Sequence, residues 1–172
     1  MRYNRMTIQD FIGLLGFISI CLVTGAGAGW FTAAGVDAWY DHLRKPAFNP
    51  PKWIFAPVWT VLYILMAIAA FLVWRETGLW HVAMALFFFQ LLLNFAWSFI
   101  FFSAHKIGFA LADIIMLWLA IVVTMVAFAE VSAPAAWLFA PYLAWVSFAS
   151  VLNASILRLN PRLPLSTKQA SQ

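Results

Sequence analysis

The sequence predicts an all-α membrane protein, a bundle of five transmembrane helices with a long ordered loop between helices one and two. Three observations carry this. The 172-residue chain is 65% hydrophobic and only 9% charged, whereas soluble domains carry about 25% charged residues. Its apolar residues fall into five separate runs, at about 11–34, 54–74, 79–104, 107–129 and 135–157, each meeting the roughly 20 residues that cross about 30 Å of hydrocarbon as a helix. Stretches such as Leu86-Phe87-Phe88-Phe89 do not alternate polar and apolar residues, as the strands of a membrane barrel would. No linker, low-complexity run or internal repeat divides the chain, so 1–172 reads as one membrane domain.

The first run follows Arg2 and Arg5 and contains Gly25-Ala26-Gly27-Ala28-Gly29. Cations, an apolar stretch and small residues are also the marks of a cleavable leader. The run continues to Phe31, however, and is long enough to span, so a spanning helix is the better reading. Gly25 and Gly29 fit the small-xxx-small spacing that lets membrane helices approach closely, and an approach within the same bundle is expected. Cys21 stands alone in this run. A single cysteine forms no internal disulfide and no cysteine metal cluster, so it reads as a small packing residue.

Between the first two runs, segment 35–53 exceeds the roughly 12–15 residues beyond which a structureless loop is uncommon in a compact domain. Trp39, Tyr40, Leu43, Phe48 and Trp53 make it too apolar for a solvated tail. Pro46, Pro50 and Pro51 fix φ and push the residues before them to extended conformations. The segment is therefore expected to form an ordered lid over one end of the bundle. Pro57 is placed in the first turn of the second helix, where its missing N–H costs little.

Polar residues inside the remaining runs are informative because burial in a bilayer makes them costly. Gln90 and Asn94 are four apart and share a face of the third helix with Trp97. Asp113 falls in the second turn of the fourth. Trp145, Ala149 and Asn153 form an i, i+4, i+8 row on the fifth, with Pro141 one turn earlier. These faces are expected to turn inward, either to hydrogen-bond between helices or to line a ligand site, and the residues alone leave both open for Asn94 and Asp113.

Short connections make consecutive helices antiparallel neighbours. Five spans then put Arg2, Arg5 and Arg75 on one side, and Arg44, Lys45, Lys52, Lys106, Arg158, Arg162 and Lys168 on the other. The positive-inside rule assigns the second side, with the lid and the C-terminus, to the cytoplasm. The net charge of +4 is explained by cations that flank spans beside anionic headgroups, and nucleic acid is not an expected partner. Of the ten tryptophans, Trp30, Trp39, Trp53, Trp74, Trp80 and Trp137 lie at or beyond helix ends, as an interfacial aromatic belt requires. Trp59, Trp97, Trp118 and Trp145 lie deeper, where each indole N–H wants a partner. His42, His81 and His105 lack metal-ligand spacing. No catalytic set, phosphate loop, metal site or cofactor motif is evident.

The stretches WY, KPAFNPPKW, APVWTVLYILM, QLLLNFAWSFIFF, ALAD and PYLAWVSFASVLN resemble the TspO/MBR family, the tryptophan-rich sensory proteins and translocator proteins, across essentially all five spans. The resemblance implies a five-helix bundle, often dimeric, with a pocket under the first loop that takes porphyrins such as protoporphyrin IX and other hydrophobic ligands. It implies that Trp39 and Tyr40 lie in the lid, that Trp53 stands at the pocket mouth, and that Asn94, Asp113 and Trp145 line the interior with Ala149 leaving room for a flat ligand. Tryptophan faces suit a tetrapyrrole plate, and Arg44 and Lys45 suit its carboxylate arms through charge-assisted hydrogen bonds. An integral membrane receptor or sensor that binds, moves or regulates tetrapyrroles is the expected function. The alternative is an enzyme that degrades porphyrin in light, with pocket tryptophans taking part. A homodimer in a bacterial cell membrane is expected. The animal cholesterol pattern needs a tyrosine upstream of a cation, but here the stretch reads VLNASILRLN, with Ala154 and Ser155 before Arg158. Weak or absent cholesterol binding is expected there.

Overall fold

In the computed structural model, residues 6–36 and 39–161 are described. Arg2, Arg5, Arg162 and Lys168, used above for the charge balance, lie outside them. Five spans form, each long and apolar enough to cross a bilayer, and no strand occurs among the described residues. Helix α1 is Ile8–Val36, α2 is Lys52–Thr77, α3 is Val82–Ser98 and α4 is Ile107–Val131. The fifth span is built from two pieces, α5 at Ala133–Leu138 and α6 at Ala140–Leu159.

The start of α1 is fixed by a reciprocal cap. The Thr7 backbone N–H and hydroxyl both donate to Asp10 Oδ2 at 2.9 Å, and the Asp10 N–H returns a bond to Thr7 Oγ1 at 3.2 Å. This satisfies two of the amide groups that a helix start leaves unpaired. The free carboxylate oxygen, Asp10 Oδ1, meets Arg75 Nε at 3.1 Å, tying the beginning of α1 to the end of α2. At that end Gly78 (φ 75°) reverses the chain, a conformation that costs a glycine nothing.

The core is packed with small residues where helices come close. Ala67, Ala69 and Ala70 on α2 are fully buried, beside Cys21, Met66, Phe87 and Ile121. Without a hydrophobic force between helices in lipid, such close van der Waals contact is what holds them. Gly25 and Gly27 face this bundle's own neighbours. A Cβ on Gly25 would sit 2.5 Å from the Tyr63 ring, and one on Gly27 2.9 Å from Phe95. Gly29 meets nothing within 4 Å, so the inward pair is Gly25 and Gly27 and not the Gly25–Gly29 pair that spacing suggests.

Three elements differ from the sequence expectation. Helix α2 begins at Lys52, so Pro57 lies in its second turn and not its first. There it leaves the Trp53 carbonyl without its i+4 donor. The fifth span breaks at Phe139, whose N–H bonds back three residues to the Ala136 carbonyl at 3.1 Å, and Pro141 sits in the first turn of α6. The third span ends in a wide π turn at Phe99–Ser103, where the Ala104 N–H reaches the Phe99 carbonyl five residues back.

Candidate functional site

The lid lies over the end of the bundle where α3 stops and α6 finishes. It is ordered by named bonds. The Tyr40 hydroxyl donates to Asn49 Oδ1 at 2.7 Å, closing the loop on itself. Asp41 takes Lys52 Nζ at 2.7 Å and Lys45 Nζ at 3.5 Å. Asn160, just past α6, clamps the Arg44 peptide on both sides. The Arg44 N–H donates to Asn160 Oδ1 at 3.1 Å, and Asn160 Nδ2 donates to the Arg44 carbonyl at 2.9 Å. Trp39 stacks on His105 in the α3–α4 connection, with ring centroids 4.4 Å apart and planes 25° apart. His105 holds that place with φ 55°, a conformation that side chains other than glycine seldom adopt.

The lid's electrostatics have local causes. The hydrogen bond from Lys52 holds the Asp41 carboxyl below the usual carboxylate range. Burial pushes the Tyr40 hydroxyl above its ordinary value. The Lys45 ammonium lies 4.5 Å from the Tyr40 ring centroid, a cation–π contact that covers the same ring.

Beneath Tyr40 lies a narrow interior cavity of about 30 Å³, walled by Trp97, Phe101, Phe102, Trp145, Ala149 and Asn153 among others. That is room for about one water. The π turn carries two of these walls. Phe101 and Phe102 both lie within it and both are buried. Trp97 stacks on Phe101 at 5.3 Å. Its indole N–H donates to Asn153 Oδ1 at 3.2 Å, and Asn153 Nδ2 donates to the Ile107 carbonyl at 3.1 Å. One asparagine therefore joins α3, α4 and α6 at the cavity floor.

Of the residues expected to meet ligand, Tyr40, Trp145 and Ala149 line this cavity together. Trp39 sits beside it, edge-on to Phe101 at 5.6 Å. Arg44 and Lys45 lie on the lid, Arg44 exposed. Trp53 is 73% exposed at the start of α2. Asn94 lies deeper, at the centre of a buried polar chain. Tyr63 donates to Asn94 Oδ1, Asn94 Nδ2 donates to the Tyr142 hydroxyl at 2.9 Å, and that hydroxyl donates to Gln90 Oε1 at 3.1 Å. The chain satisfies its members and joins α2, α3 and α6. Asp113 is buried on α4 with Oδ2 lacking a hydrogen-bond partner, and it is not a wall of the cavity.

Sequence reasoning missed Phe55, Phe101, Phe102 and Phe148 as walls, and Asn160 as the clamp. Phe148 carried a readable signal, three residues after Trp145 on the same face. Phe101 and Phe102 carried none, because they sit in an unbroken apolar run where nothing marks the wide turn.

A second concavity lies outside the bundle. It is a groove of about 640 Å³ between α2 and α6, lined by Pro57, Val58, Val61, Leu62, Pro141, Ala144, Trp145 and Phe148. Its volume falls in the roughly 300–1,000 Å³ range of small-molecule sites.

Comparison with known proteins agrees with this architecture. The TspO/MBR family profile matches residues 17–159. The Tryptophan-rich protein TspO of Chlorobaculum tepidum is 47% identical over 148 residues, covering 84% of this chain and 93% of that protein. The Tryptophan-rich sensory protein of Cereibacter sphaeroides is 39% identical, covering 91% and 96%. The Translocator protein of Bos taurus is 36% identical, covering 83% and 87%. With five apolar spans, an aromatic lid and a match across most of its length, the chain is a multi-pass membrane protein that belongs to the TspO/MBR family.

Proposed function

We propose that this protein is a membrane receptor or sensor that binds tetrapyrroles, such as protoporphyrin IX, and related hydrophobic ligands, and that it moves them or regulates their levels. One observation carries the reading: an aromatic-walled cavity lies under an ordered lid whose surface bears Arg44 and Lys45. Stacking on aromatic rings adds roughly 0.5–1.5 kcal/mol per pair beyond burial, and surface cations suit carboxylate arms. The cavity offers only about 30 Å³, so loading requires its walls or lid to move. Trp39, Tyr40, Trp53, Trp145 and Ala149 are proposed to meet the ligand. Asn94 and Asp113 are proposed to act from deeper in the bundle. The lid and C-terminus are assigned to the cytoplasm, the membrane to a bacterial cell, the assembly to a homodimer, and cholesterol to weak or no binding.

A second reading, light-dependent porphyrin degradation, is favoured by a specific placement. Trp97 and Trp145 both wall the cavity, within reach of any ring plane bound there. No carboxylate or histidine stands among those walls, and Tyr40 is their one hydroxyl.

Purified protein titrated with protoporphyrin IX in the dark tests both. Saturable tryptophan quenching, weakened at least about tenfold in Trp145→Ala (about 1.4 kcal/mol), is expected of a receptor. Loss of porphyrin absorbance under light, abolished in Trp145→Phe, would favour the enzyme. Absence of saturable binding would overturn both.

A further inference from the structure

We infer that the interior cavity is loaded sideways from the bilayer, through the gap between α2 and α6, and that the Trp145 side chain is the gate. The occupant is a flat lipophilic molecule dissolved in the hydrocarbon. This rests on the reading that the cavity takes such ligands.

The gap has a physical cause. Helix α2 packs closely along α5 but parts from α6 beyond the break at Phe139. Pro57 on α2 and Pro141 on α6 both line the opening. Pro57 lies inside the continuous α2 and lacks the amide that would complete its ladder, and Pro141 occupies the first turn of α6, just after the break. Aromatic side chains bridge what the backbones leave open. Phe55 meets Trp145 at 5.8 Å and Trp59 meets Tyr142 at 6.2 Å, both edge-on.

Trp145 and Phe148 wall both the outer groove and the inner cavity. The two spaces are therefore separated by the thickness of those side chains. Trp145 lacks a polar anchor. Trp97 and Trp118 tie their indole N–H groups to Asn153 and Ser147, whereas among the described residues the Trp145 ring is held by packing alone, against Phe55, Phe148 and the core. Ala144 stands beside it in the groove and Ala149 in the cavity, and the groove of about 640 Å³ gives the ring space to swing outward. The route beneath the lid is more tightly closed. It would break the Asn160 clamp, the Tyr40–Asn49 bond, the Asp41–Lys52 pair and the Trp39–His105 stack. The groove is lined by apolar side chains, which suits a molecule arriving from lipid and not from water.

The test needs no tetrapyrrole. Full-length protein carrying Cys21→Ala and Ala149→Cys is placed in phosphatidylcholine nanodiscs. The introduced thiol is offered either an alkyl-chain maleimide dissolved in the bilayer or a sulfonated, water-soluble one. The lipid reagent is expected to react faster. Filling the groove with Ala144→Trp or, separately, Val61→Trp should slow it by about tenfold, equivalent to about 1.4 kcal/mol of added barrier. Trp145→Ala should speed it, and Asn160→Ala should leave it unchanged. Groove-filling variants without effect, together with faster labelling by the water-soluble reagent in Asn160→Ala, would place entry beneath the lid and overturn the proposal. Failure of both reagents to label would overturn it too. If labelling follows the gate while protoporphyrin IX fails to quench the tryptophans, the route stands and the tetrapyrrole reading falls.

Discussion

At the scale of single residues, Asn160 is the most consequential side chain outside the cavity. It makes two bonds to the Arg44 peptide and a third to the Ile156 carbonyl at 2.8 Å. Net contributions of about 0.5–1.5 kcal/mol per bond suffice to hold a loop but not a bundle. Asn160→Ala is therefore expected to raise amide exchange in the lid, at residues 43–49, by about tenfold or more. Exchange in the spans and the unfolding temperature should change little. Gly25 acts the other way. Gly25→Val drives a branched side chain into the Tyr63 ring, which a Cβ alone already meets at 2.5 Å. Overpacking of this kind costs typically about 1–3 kcal/mol, so thermal unfolding in detergent should fall by several degrees, while Gly29→Ala should not lower it. The residue scale is also where the sequence was least legible. Asn160 looks like any polar residue after a helix, since its partner lies 116 positions away. Asn94 was readable as an inward polar group. Its four-membered chain was not, because Tyr142 and Tyr63 enter it from other helices.

At the scale of elements, that polar chain and the lid make separable predictions. Hydrogen bonds between membrane helices contribute about 0.6 kcal/mol each on average. Tyr63→Phe removes one donor and should cost about that much. Asn94→Leu strands the Tyr63 hydroxyl and removes the donor to Tyr142, which keeps its bond to Gln90, and should cost more, since an unpaired buried polar group costs about 1–3 kcal/mol. Reversible unfolding in mixed micelles would rank them. The lid responds to pH through two groups. Asp41 is held below its ordinary range, so its contribution is present above that range and is lost as pH falls through the lowered value. Tyr40 is raised, so its contribution is present below the ordinary tyrosine value and is lost as pH climbs through the raised one. Proteolysis of the lid should be slowest between these limits and faster at both extremes. The existence of the lid was legible because 35–53 is long, aromatic and rich in proline. The starts and breaks of the spans were less so. Hydropathy cannot distinguish one long helix from α5 followed by α6, and only backbone hydrogen bonding reveals the turn at Phe139.

For the whole molecule, five spans and a fixed order of loops put the lid, the α3–α4 connection and the C-terminal end of α6 on one side. The cations Arg44, Lys45, Lys52, Lys106 and Arg158 lie there, against Arg75 on the other. That balance supports the proposed cytoplasmic lid. Ala47 is exposed on the lid, and Cys21 is fully buried, so Ala47→Cys supplies the one reactive thiol expected. A membrane-impermeant maleimide should label it in inverted vesicles and leave it untouched in intact cells. Labelling in intact cells instead would reverse the topology. This level was the most legible of the three. Span count, helix class and family resemblance all follow from run lengths and quoted stretches, since bilayer thickness constrains them more tightly than packing detail does.

The wide turn at the end of α3 carries a consequence for how this chain tolerates change in length. A π turn holds one more residue than an α turn spanning the same rise, and each residue advances a helix by about 100°. Deleting Ile100 would let the helix close up into regular geometry without shortening the span appreciably. The cost would fall on direction. Without the wide turn, Phe101 and Phe102 would be aimed differently relative to the face that carries Gln90 and Asn94. The surplus residue thus works as a register mark. It lets a helix whose earlier turns present Gln90 and Asn94 to the bundle centre end by offering two adjacent rings to the same interior.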